Sequence, residues 1–417
     1  MAEAIKKKRI LIYSLIFSPD GVSTAYLYND LALGFKDRGH EVVVLTTTPH
    51  FNPLKEELQK QPLKRIFFGV FFTSNFKGIK VYHIPLKKHK NISLRIFSFF
   101  YWHIASFLVG LGINKIDYIL SPSPPLTNGF IAIILSRIKK AKVIYNVQEV
   151  YPDLLINQGF LKSNFLIKIL KSLEAYIYNN SYKVTTIDQL FYKLLFPRIK
   201  IKERLEIIPN FVDTDFYKPI LNTDQNLNQA IFSKNEGDLN IMYAGNIGEA
   251  QEWDLLLNTA LKVKDLAVTF WIIGGGAKKE YLKNRIVSQK LNNIKLFPYQ
   301  SRDNMPALNL FADIHFIGLT KEVEFEGFPS KVYSILASAK PILAVASIGT
   351  PLYNFLKDKD CSFIISERAS TKLVDLIISL INDKSKLDIM GRNGYNHIIA
   401  NFSKDKIINA YLGLIEK

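Results

Sequence analysis

The strongest constraint on this chain is a set of short apolar runs that do not alternate with polar residues. They stand at 8–15 (KRILIYSL), 41–48 (EVVVLTTT), 79–86, 118–122, 142–148 (KVIYNVQ), 183–187 and 205–209. They recur at 239–245 (LNIMYAG), 268–274 (VTFWIIG), 293–298, 313–319, 341–346 (PILAVA) and 362–366. A strand with one wet face alternates, whereas a strand buried on both faces reads as a continuous apolar run. The pattern predicts an α/β fold class: parallel sheets covered by helices. The segments between the runs carry a helical period. In 23–38, Ser23 or Thr24 can cap, Leu27, Leu31 and Phe35 repeat along one face, and Gly39 ends the helix.

A polar, irregular stretch at 210–238, with Pro219 and the run Asn222–Asn228, reads as a linker. At 417 residues the chain has room for more than one domain. The expected architecture is two Rossmann-like, doubly wound domains facing a cleft. They cover 1–208 and 209–401, with a helix at 402–417 packing back on the first. In such sheets ligands bind outside the carboxyl ends of the strands.

Charge separates the two halves. The net formal charge is +17, and residues 1–200 hold 28 basic and 12 acidic side chains against 26 and 25 in the remainder. The first half is therefore expected to meet a polyanion: an anionic membrane surface, a phosphorylated lipid or a nucleic acid. A solvated lysine-rich surface is the plainer alternative. Between 55 and 95, Lys55, Lys60, Lys64, Arg65, Lys77, Lys80, Lys87, Lys88, Lys90 and Arg95 are interleaved with Phe67, Phe68, Val70, Phe71, Phe72 and Phe76. Basic residues attract anionic headgroups, and exposed aromatics anchor in the interface. Residues 96–113 then form an uncharged stretch at the lower limit for a membrane span. Ser98, His103, Ser106 and Gly110 mark a weak polar stripe, which favours a buried or interfacial helix over a spanning one. Basic and aromatic residues can also bind single-stranded nucleic acid, but no RNA-recognition signature is present.

Other classes are excluded. The single cysteine, Cys361, rules out a disulfide framework and a cysteine-rich zinc site. The seven histidines show no paired-ligand spacing, so no metal is expected. Lys6-Lys7-Lys8-Arg9 before Ile10–Phe17 mimics a signal peptide, but Ser18-Pro19-Asp20-Gly21 is no cleavage site. That run reads as a first strand.

Six blocks carry a family resemblance: Pro19-Asp20-Gly21, SPSPPL at 121–126, YNVQEVYPD at 145–153, IIPNFVDTDFYKP at 207–219, YAGNIGEAQEWD at 243–254 and FEGFPSKVYSILASAKPIL at 325–343. In this order they resemble the retaining GT-B glycosyltransferases of family 4. The nearest subgroup in character is the bacterial N-acetylfucosamine-transferase-like enzymes of O-antigen and capsule synthesis. Family members commonly carry two glutamates eight positions apart, one touching the donor sugar and one the nucleotide ribose. The first falls on Glu326 and the second on Ser334, which offers only a hydroxyl. Gly327, Phe328 and Pro329 lead into a helix whose free N–H groups attract a diphosphate, with Ser330 adding a hydroxyl. Lys331 sets a cation in the first helical turn, where the dipole disfavours it, and a bound anion explains it better than helix stability does. Relatives grip the donor phosphates with an arginine and a lysine after the strand at 239–245. Here those places hold Asn246 and Gln251, so Lys331 and backbone amides carry the charge, and Gly245 permits close approach. Gly21 completes the expected donor contacts, and Tyr299 and Gln300 resemble the loop that holds the base.

In the first half, Gln148-Glu149 stands where many relatives keep a histidine. Glu149 and Asp153 are the acid candidates facing the acceptor hydroxyl, and a helix-capping pair is the alternative. Asp213-Thr214-Asp215 looks like a metal-binding Asp-x-Asp, but its setting after IIPNF marks it as an inter-domain loop. Gly274-Gly275-Gly276 reads as a tight turn. The resemblance implies transfer of a sugar from a nucleotide donor, UDP first, to a polyprenyl-diphosphate-linked saccharide. It implies retention of configuration and no cofactor or metal. It also implies a cytoplasmic protein, peripheral on the inner face of the cell membrane, docking on anionic lipid through residues 55–113 and binding no nucleic acid. A GT-B sugar-nucleotide epimerase, needing no lipid acceptor, is the rival enzyme.

Overall fold

In a computed structural model of the chain, residues 7–53, 55–87, 91–219, 232–325 and 327–416 are described. The chain divides into two compact units, Met1–Asn210 with Lys404–Lys417, and Phe211–Ser403. The first unit runs β1 (Arg9–Tyr13), α1 (Ser23–Asp37), β2 (Glu41–Thr47), α2 (Lys55–Lys60), β3 (Lys64–Ile66), β4 (Phe71–Phe76), β5 (Ile79–Ile84) and α3 (Ile92–Gly112). It continues with β6 (Tyr118–Ser123), α4 (Leu126–Lys139), β7 (Lys142–Val147), α5 (Asp153–Asn157), α6 (Asn164–Asn180), β8 (Lys183–Thr186), α7 (Gln189–Leu195) and β9 (Leu205–Ile207).

Its sheet has the order β3-β4-β5-β2-β1-β6-β7-β8-β9. From β5 to β9 all pairs are parallel, and the near-continuous burial of β1, β2, β6 and β7 explains their unbroken apolar sequences. The edge departs from the all-parallel expectation: β3 and β4 pair antiparallel, and β4 pairs antiparallel with β5. The β4–β5 turn is Lys77-Gly78, both at positive φ (48° and 85°), the left-handed pair that a tight two-residue hairpin requires. The crossovers from β5 to β6, β7 and β8 all step one way across the sheet. Right-handed crossovers place their helices on one face, and residues of α3, α4 and α6 share one buried cluster there. On α1, Phe35 meets Tyr411 edge-on with ring centroids 6.3 Å apart. Tyr411 belongs to the last helix of the chain. The N-cap of α1 is Val22, with no side-chain bond, rather than Ser23 or Thr24. Gly39 ends it as expected, at φ 88°, with the His40 amide donating to the Phe35 carbonyl.

The apolar stretch at 96–113 is the body of α3, and among the described residues Ser93–Gly112 is the one helix long and apolar enough to cross a membrane. It is not wholly buried. Trp102 stacks on Tyr13 at 5.5 Å, its Nε1 donates to Asn128 Oδ1 at 3.0 Å, and Ser106 bonds the Tyr13 hydroxyl at 2.8 Å. The opposite face exposes Ile96, Phe97, Phe100, Ile104 and Leu108.

The second unit runs β10 (Leu239–Asn246), α8 (Trp253–Lys262), β11 (Val268–Gly275), α9 (Lys279–Ser288), β12 (Ile294–Phe297), α10 (Met305–Phe311) and β13 (Ile314–Gly318). It then runs α11 (Lys331–Ala337), β14 (Ile342–Val345), α12 (Pro351–Leu356), β15 (Ser362–Ile365), α13 (Ser370–Asn382) and α14 (Ser385–Phe402). Helix α15 (Lys404–Ile415) returns to the first unit. The second sheet, β12-β11-β10-β13-β14-β15, is wholly parallel. Its winding reverses between β10 and β13, so the loops leaving those two strands diverge at the carboxyl edge and open a crevice. Each unit is a Rossmann-like, doubly wound domain.

Candidate active site

The crevice of the second unit is built around one lysine. Lys331 is the first residue of α11, and its ammonium lies 3.7 Å from the centroid of the Tyr243 ring. Tyr243 is held in turn, its hydroxyl donating to the Asn246 carbonyl at 2.5 Å. Gly245 makes the approach possible: a Cβ there would stand 2.8 Å from Lys331 Nζ. Among the described residues no carboxylate pairs with this ammonium. Burial pulls its pKa down to about 7. A desolvated cation facing an aromatic ring is a site that an anion completes.

The glycines of β11 hold the adjoining wall. A Cβ at Gly274 would meet the Gly245 carbonyl at 1.9 Å, and one at Gly276 would meet the Ile247 carbonyl at 2.4 Å. The triple glycine is thus the close approach of two loops. Tyr299 lies over Gly275 closely enough that a Cβ there would be 3.1 Å from its ring. Half its surface stays open, 54%. The Gln300 amide donates to the Pro298 carbonyl at 3.2 Å.

Around α11 the predicted residues separate. Ser330 is exposed, and the Pro329 carbonyl accepts from the Val332 amide at 3.0 Å. Phe328 packs on Tyr333 and Phe355 at 5.1 and 4.8 Å and belongs to the core side of the loop. Ser334 turns its hydroxyl back to the Lys331 carbonyl at 3.0 Å. Glu326 lies outside the described residues. Asp213 caps its own turn, accepting from the Phe216 amide at 3.1 Å.

Sequence reasoning misses the residue that ties this edge together. Arg368 donates to Glu252 Oε1 at 2.6 Å, Ser347 Oγ at 2.8 Å, the Leu319 carbonyl at 3.0 Å and Glu324 Oε2 at 2.6 Å. These partners sit on the loops after β10, β13 and β14, and Arg368 itself follows β15. One guanidinium therefore cross-links four loops, with Glu324 almost fully buried and also accepting from the Ser347 amide at 3.0 Å. No local pattern announces contacts 116 and 44 residues apart along the chain.

In the first unit the predicted residues cluster at the carboxyl edge of β1, β2 and β7. Asp20, 3% exposed, accepts from the amides of His50, Phe51 and Asn52 at 3.0, 2.9 and 2.5 Å. Gly21 donates to the Asn52 carbonyl at 3.0 Å and accepts the Asn52 amide at 2.9 Å. The Pro19-Asp20-Gly21 block thereby anchors the loop after β2. Gln148 forms a reciprocal amide pair with Asn210, at 2.9 and 2.8 Å, and also donates to Asn146 at 2.6 Å. Glu149 is half-buried beside it and accepts the Tyr151 hydroxyl, whose pKa burial and the neighbouring carboxylate push up to about 12. Asp153 is ion-paired with Arg198, which also holds the buried Glu174 at 2.8 Å, and Lys171 lies 3.8 Å from Asp153. The two carboxylates expected to act alike thus differ in their partners: Asp153 is ion-paired with Arg198 and near Lys171, while Glu149 meets the Tyr151 hydroxyl.

Residues 25–216 match the model of Glycosyltransferase Family 4, and residues 224–397 match that of Glycosyl transferases group 1. With one match to each half of the chain and two Rossmann-like units, the protein is a GT-B glycosyltransferase of the group 1/family 4 type. Among curated proteins it is 23% identical over 351 residues to WcaI of Escherichia coli (strain K12), named as a colanic acid biosynthesis glycosyl transferase, covering 82% of this chain and 84% of that one. It is also 23% identical over 221 residues to WbjE of Pseudomonas aeruginosa, named as a glycosyltransferase, covering 52% and 54%. Among solved structures, Anabaena HepE in complex with UDP and glucose superposes with a TM-score of 0.71 at 15% identity over 98% of this chain and 99% of that one. WaaG, a glycosyltransferase involved in lipopolysaccharide biosynthesis, does so with 0.66 at 12% identity over 97% and 100%.

Proposed function

We propose that the protein moves a sugar from a UDP donor to a polyprenyl-diphosphate-linked saccharide, with retention and without a divalent metal, in the synthesis of a surface polysaccharide. The observation that carries this is the buried ammonium of Lys331 over Tyr243 at the end of β10. Asn246 and Gln251 supply no positive charge there, and Lys331 takes their place on the leaving diphosphate. The names of WcaI and WaaG support the polysaccharide reading, and the UDP in HepE supports the nucleotide.

In this reading the bond from the anomeric carbon to the diphosphate oxygen breaks while the acceptor oxygen bonds to the same face. The acceptor proton passes to the departing phosphate oxygen, whose charge Lys331 neutralises. Glu149 orients the acceptor hydroxyl, and Asp153 acts through Arg198 as an anchor of the edge that carries it. Glu326 contacts the donor sugar, Tyr299 and Gln300 border the base, and Ser334 stands where relatives carry the ribose carboxylate. The protein works at the cytoplasmic face of the membrane, where the basic segment 55–113 meets anionic lipid.

A panel of nucleotide sugars tested for protection against thermal unfolding identifies the donor, because a bound ligand raises stability by mass action. Product analysis by NMR then decides the stereochemistry. An inverted product, loss of activity in EDTA, or turnover of a free nucleotide sugar without acceptor would each overturn the proposal, the last in favour of an epimerase.

A further inference from the structure

The membrane contact proposed above rests on residues 55–113, but the first unit exposes a second apolar patch that those residues do not include. Phe160, Phe165, Leu166 and Ile169, on α6 and the loop before it, are all exposed, Phe160 at 79% and Phe165 at 71%. The fold fixes their relation to the first patch. Helices α3 and α6 flank α4 on one face of the sheet, and helices linking parallel strands start at the carboxyl edge. The exposed face of α3 starts in its first half, with Ile96, Phe97 and Phe100, and runs on through Ile104 and Leu108, while Phe165, Leu166 and Ile169 lie in the first half of α6. Both patches therefore lie toward the edge that carries Glu149, separated by α4, about 20 Å apart at 8–10 Å per helix spacing. Beside α3, the Tyr101 hydroxyl donates to the Val70 carbonyl at 2.9 Å and holds the exposed Phe67-Phe68 knuckle, which extends the first patch.

Charge says what covers these patches. From residue 58 to residue 148 there are fourteen basic side chains and a single acidic one, Asp117. Asp117 accepts the Arg9 amide, at the start of β1 and hence at the opposite edge of the sheet. Between Asp153 and Glu174 no acidic residue occurs, while Lys162 and Lys168 are exposed among the aromatics. Glu149 and Asp153 are the acidic residues between these stretches, and Asp153 is ion-paired with Arg198. Apolar side chains with so large an excess of cations around them match a bilayer carrying negative headgroups, and they mismatch an ordinary protein surface, which mixes both signs.

We propose that α3 and α6 form a two-point docking surface for an anionic bilayer, which presses the carboxyl edge of the first sheet toward the headgroups. Two separated footprints fix the tilt of the unit, where one helix would leave it free to rotate. This deepens the membrane part of the proposed function and fails separately from it.

The test uses the full chain with phosphatidylcholine vesicles, with and without phosphatidylglycerol. The three native tryptophans, Trp102, Trp253 and Trp271, are all buried, so Phe165→Trp places a single exposed reporter on α6. Its emission is expected to shift to the blue with anionic vesicles, and a Phe97→Trp reporter is expected to do the same. Phe165→Ser with Ile169→Ser is expected to weaken vesicle binding about tenfold or more, because each side chain withdraws apolar area from the interface. If the Phe165→Trp emission is unmoved while Phe97→Trp shifts, α6 does not touch lipid and this inference is wrong, although the membrane reading stands. If neither shifts and anionic vesicles bind no better than neutral ones, the membrane reading itself fails. If the protein self-associates without lipid and the α6 substitutions abolish that, the patch joins two copies of the chain, and the inference is overturned.

Discussion

The two units share a winding pattern and use charge in opposite ways. In the first, basic residues far outnumber acidic ones, and aromatic and aliphatic side chains are exposed along the same segments, although Arg198 gathers Asp153 and the buried Glu174. In the second, the numbers of charges nearly balance, and the most consequential ones are drawn inward: Arg368 with Glu252 and Glu324, and Lys331 against Tyr243. Exposed cations act at range and are screened within a Debye length of about 8 Å at physiological salt. Inward charges act at contact and resist screening. A glycosyltransferase built this way can respond to salt through one unit while the crevice of the other does not.

The comparison is broken most directly at Lys331. Lys331→Ala is expected to lower kcat by about 10²–10³, as loss of an electrostatic stabiliser does, with the thermal midpoint little changed. Wild-type turnover in steady-state assays would return Lys331 to the role of an ordinary helix residue. Next comes Arg368. Arg368→Ala leaves Glu324 and Glu252 close together without their cation and is expected to destabilise the second unit by about 3 kcal/mol, seen by calorimetry. Arg368→Lys keeps the charge but loses the fork and is expected to fall between the two. Loss of activity without loss of stability would show that Arg368 contacts substrate instead.

The exposed charges are tested by replacing Lys87, Lys88 and Lys90 with Gln, of which the last two lie outside the described residues. At about 1 kcal/mol per charge, binding to anionic vesicles is expected to weaken by up to about 3 kcal/mol. High salt should erase that difference, and turnover on a short water-soluble acceptor should persist.

The smallest effect is a pH dependence. Burial holds the Lys331 pKa down to about 7, below the ordinary lysine range, because its ammonium is desolvated. A bound diphosphate favours the charged form, so above pH 7 binding takes up a proton. UDP affinity is therefore expected to fall as pH rises from 7 towards 9, by at most tenfold per unit, which is about 1.4 kcal/mol. Calorimetry in buffers of different ionisation enthalpy measures the proton uptake, and Lys331→Ala should abolish the slope. Without ligand the same shift has the opposite sense for folding. The unfolded chain holds this proton over that range and the folded one loses it, so this group makes stability rise with pH.

How much of this was legible in the sequence varies from element to element. All thirteen apolar runs are strands, because burial on both faces leaves a mark in composition that needs no knowledge of neighbours. The strands β3 and β4 went unread: their residues are aromatic and basic, which suits a lipid surface as well as a sheet edge, and the Lys77-Gly78 turn was the available sign of the hairpin. The segment at 96–113 shows the limit of periodicity. Its apolar side chains fill all faces, so nothing local says that Trp102 packs inward while Phe97 and Phe100 remain outside.

The sequence by itself determined the strands buried on both faces, the imbalance of charge and the presence of a lysine where a helix disfavours one. These follow from local composition, which each segment carries wherever it lies in the fold. Only the tertiary structure decided which charges meet. Asp153 and Glu149 are four residues apart and look alike on paper. Arg198, arriving from 45 residues away, pairs with Asp153. Arg368 reaches Glu252 in the same manner, and Lys331 finds Tyr243 because the winding reverses between β10 and β13. Electrostatic energy depends on distance in space, which the order of residues along a chain does not encode.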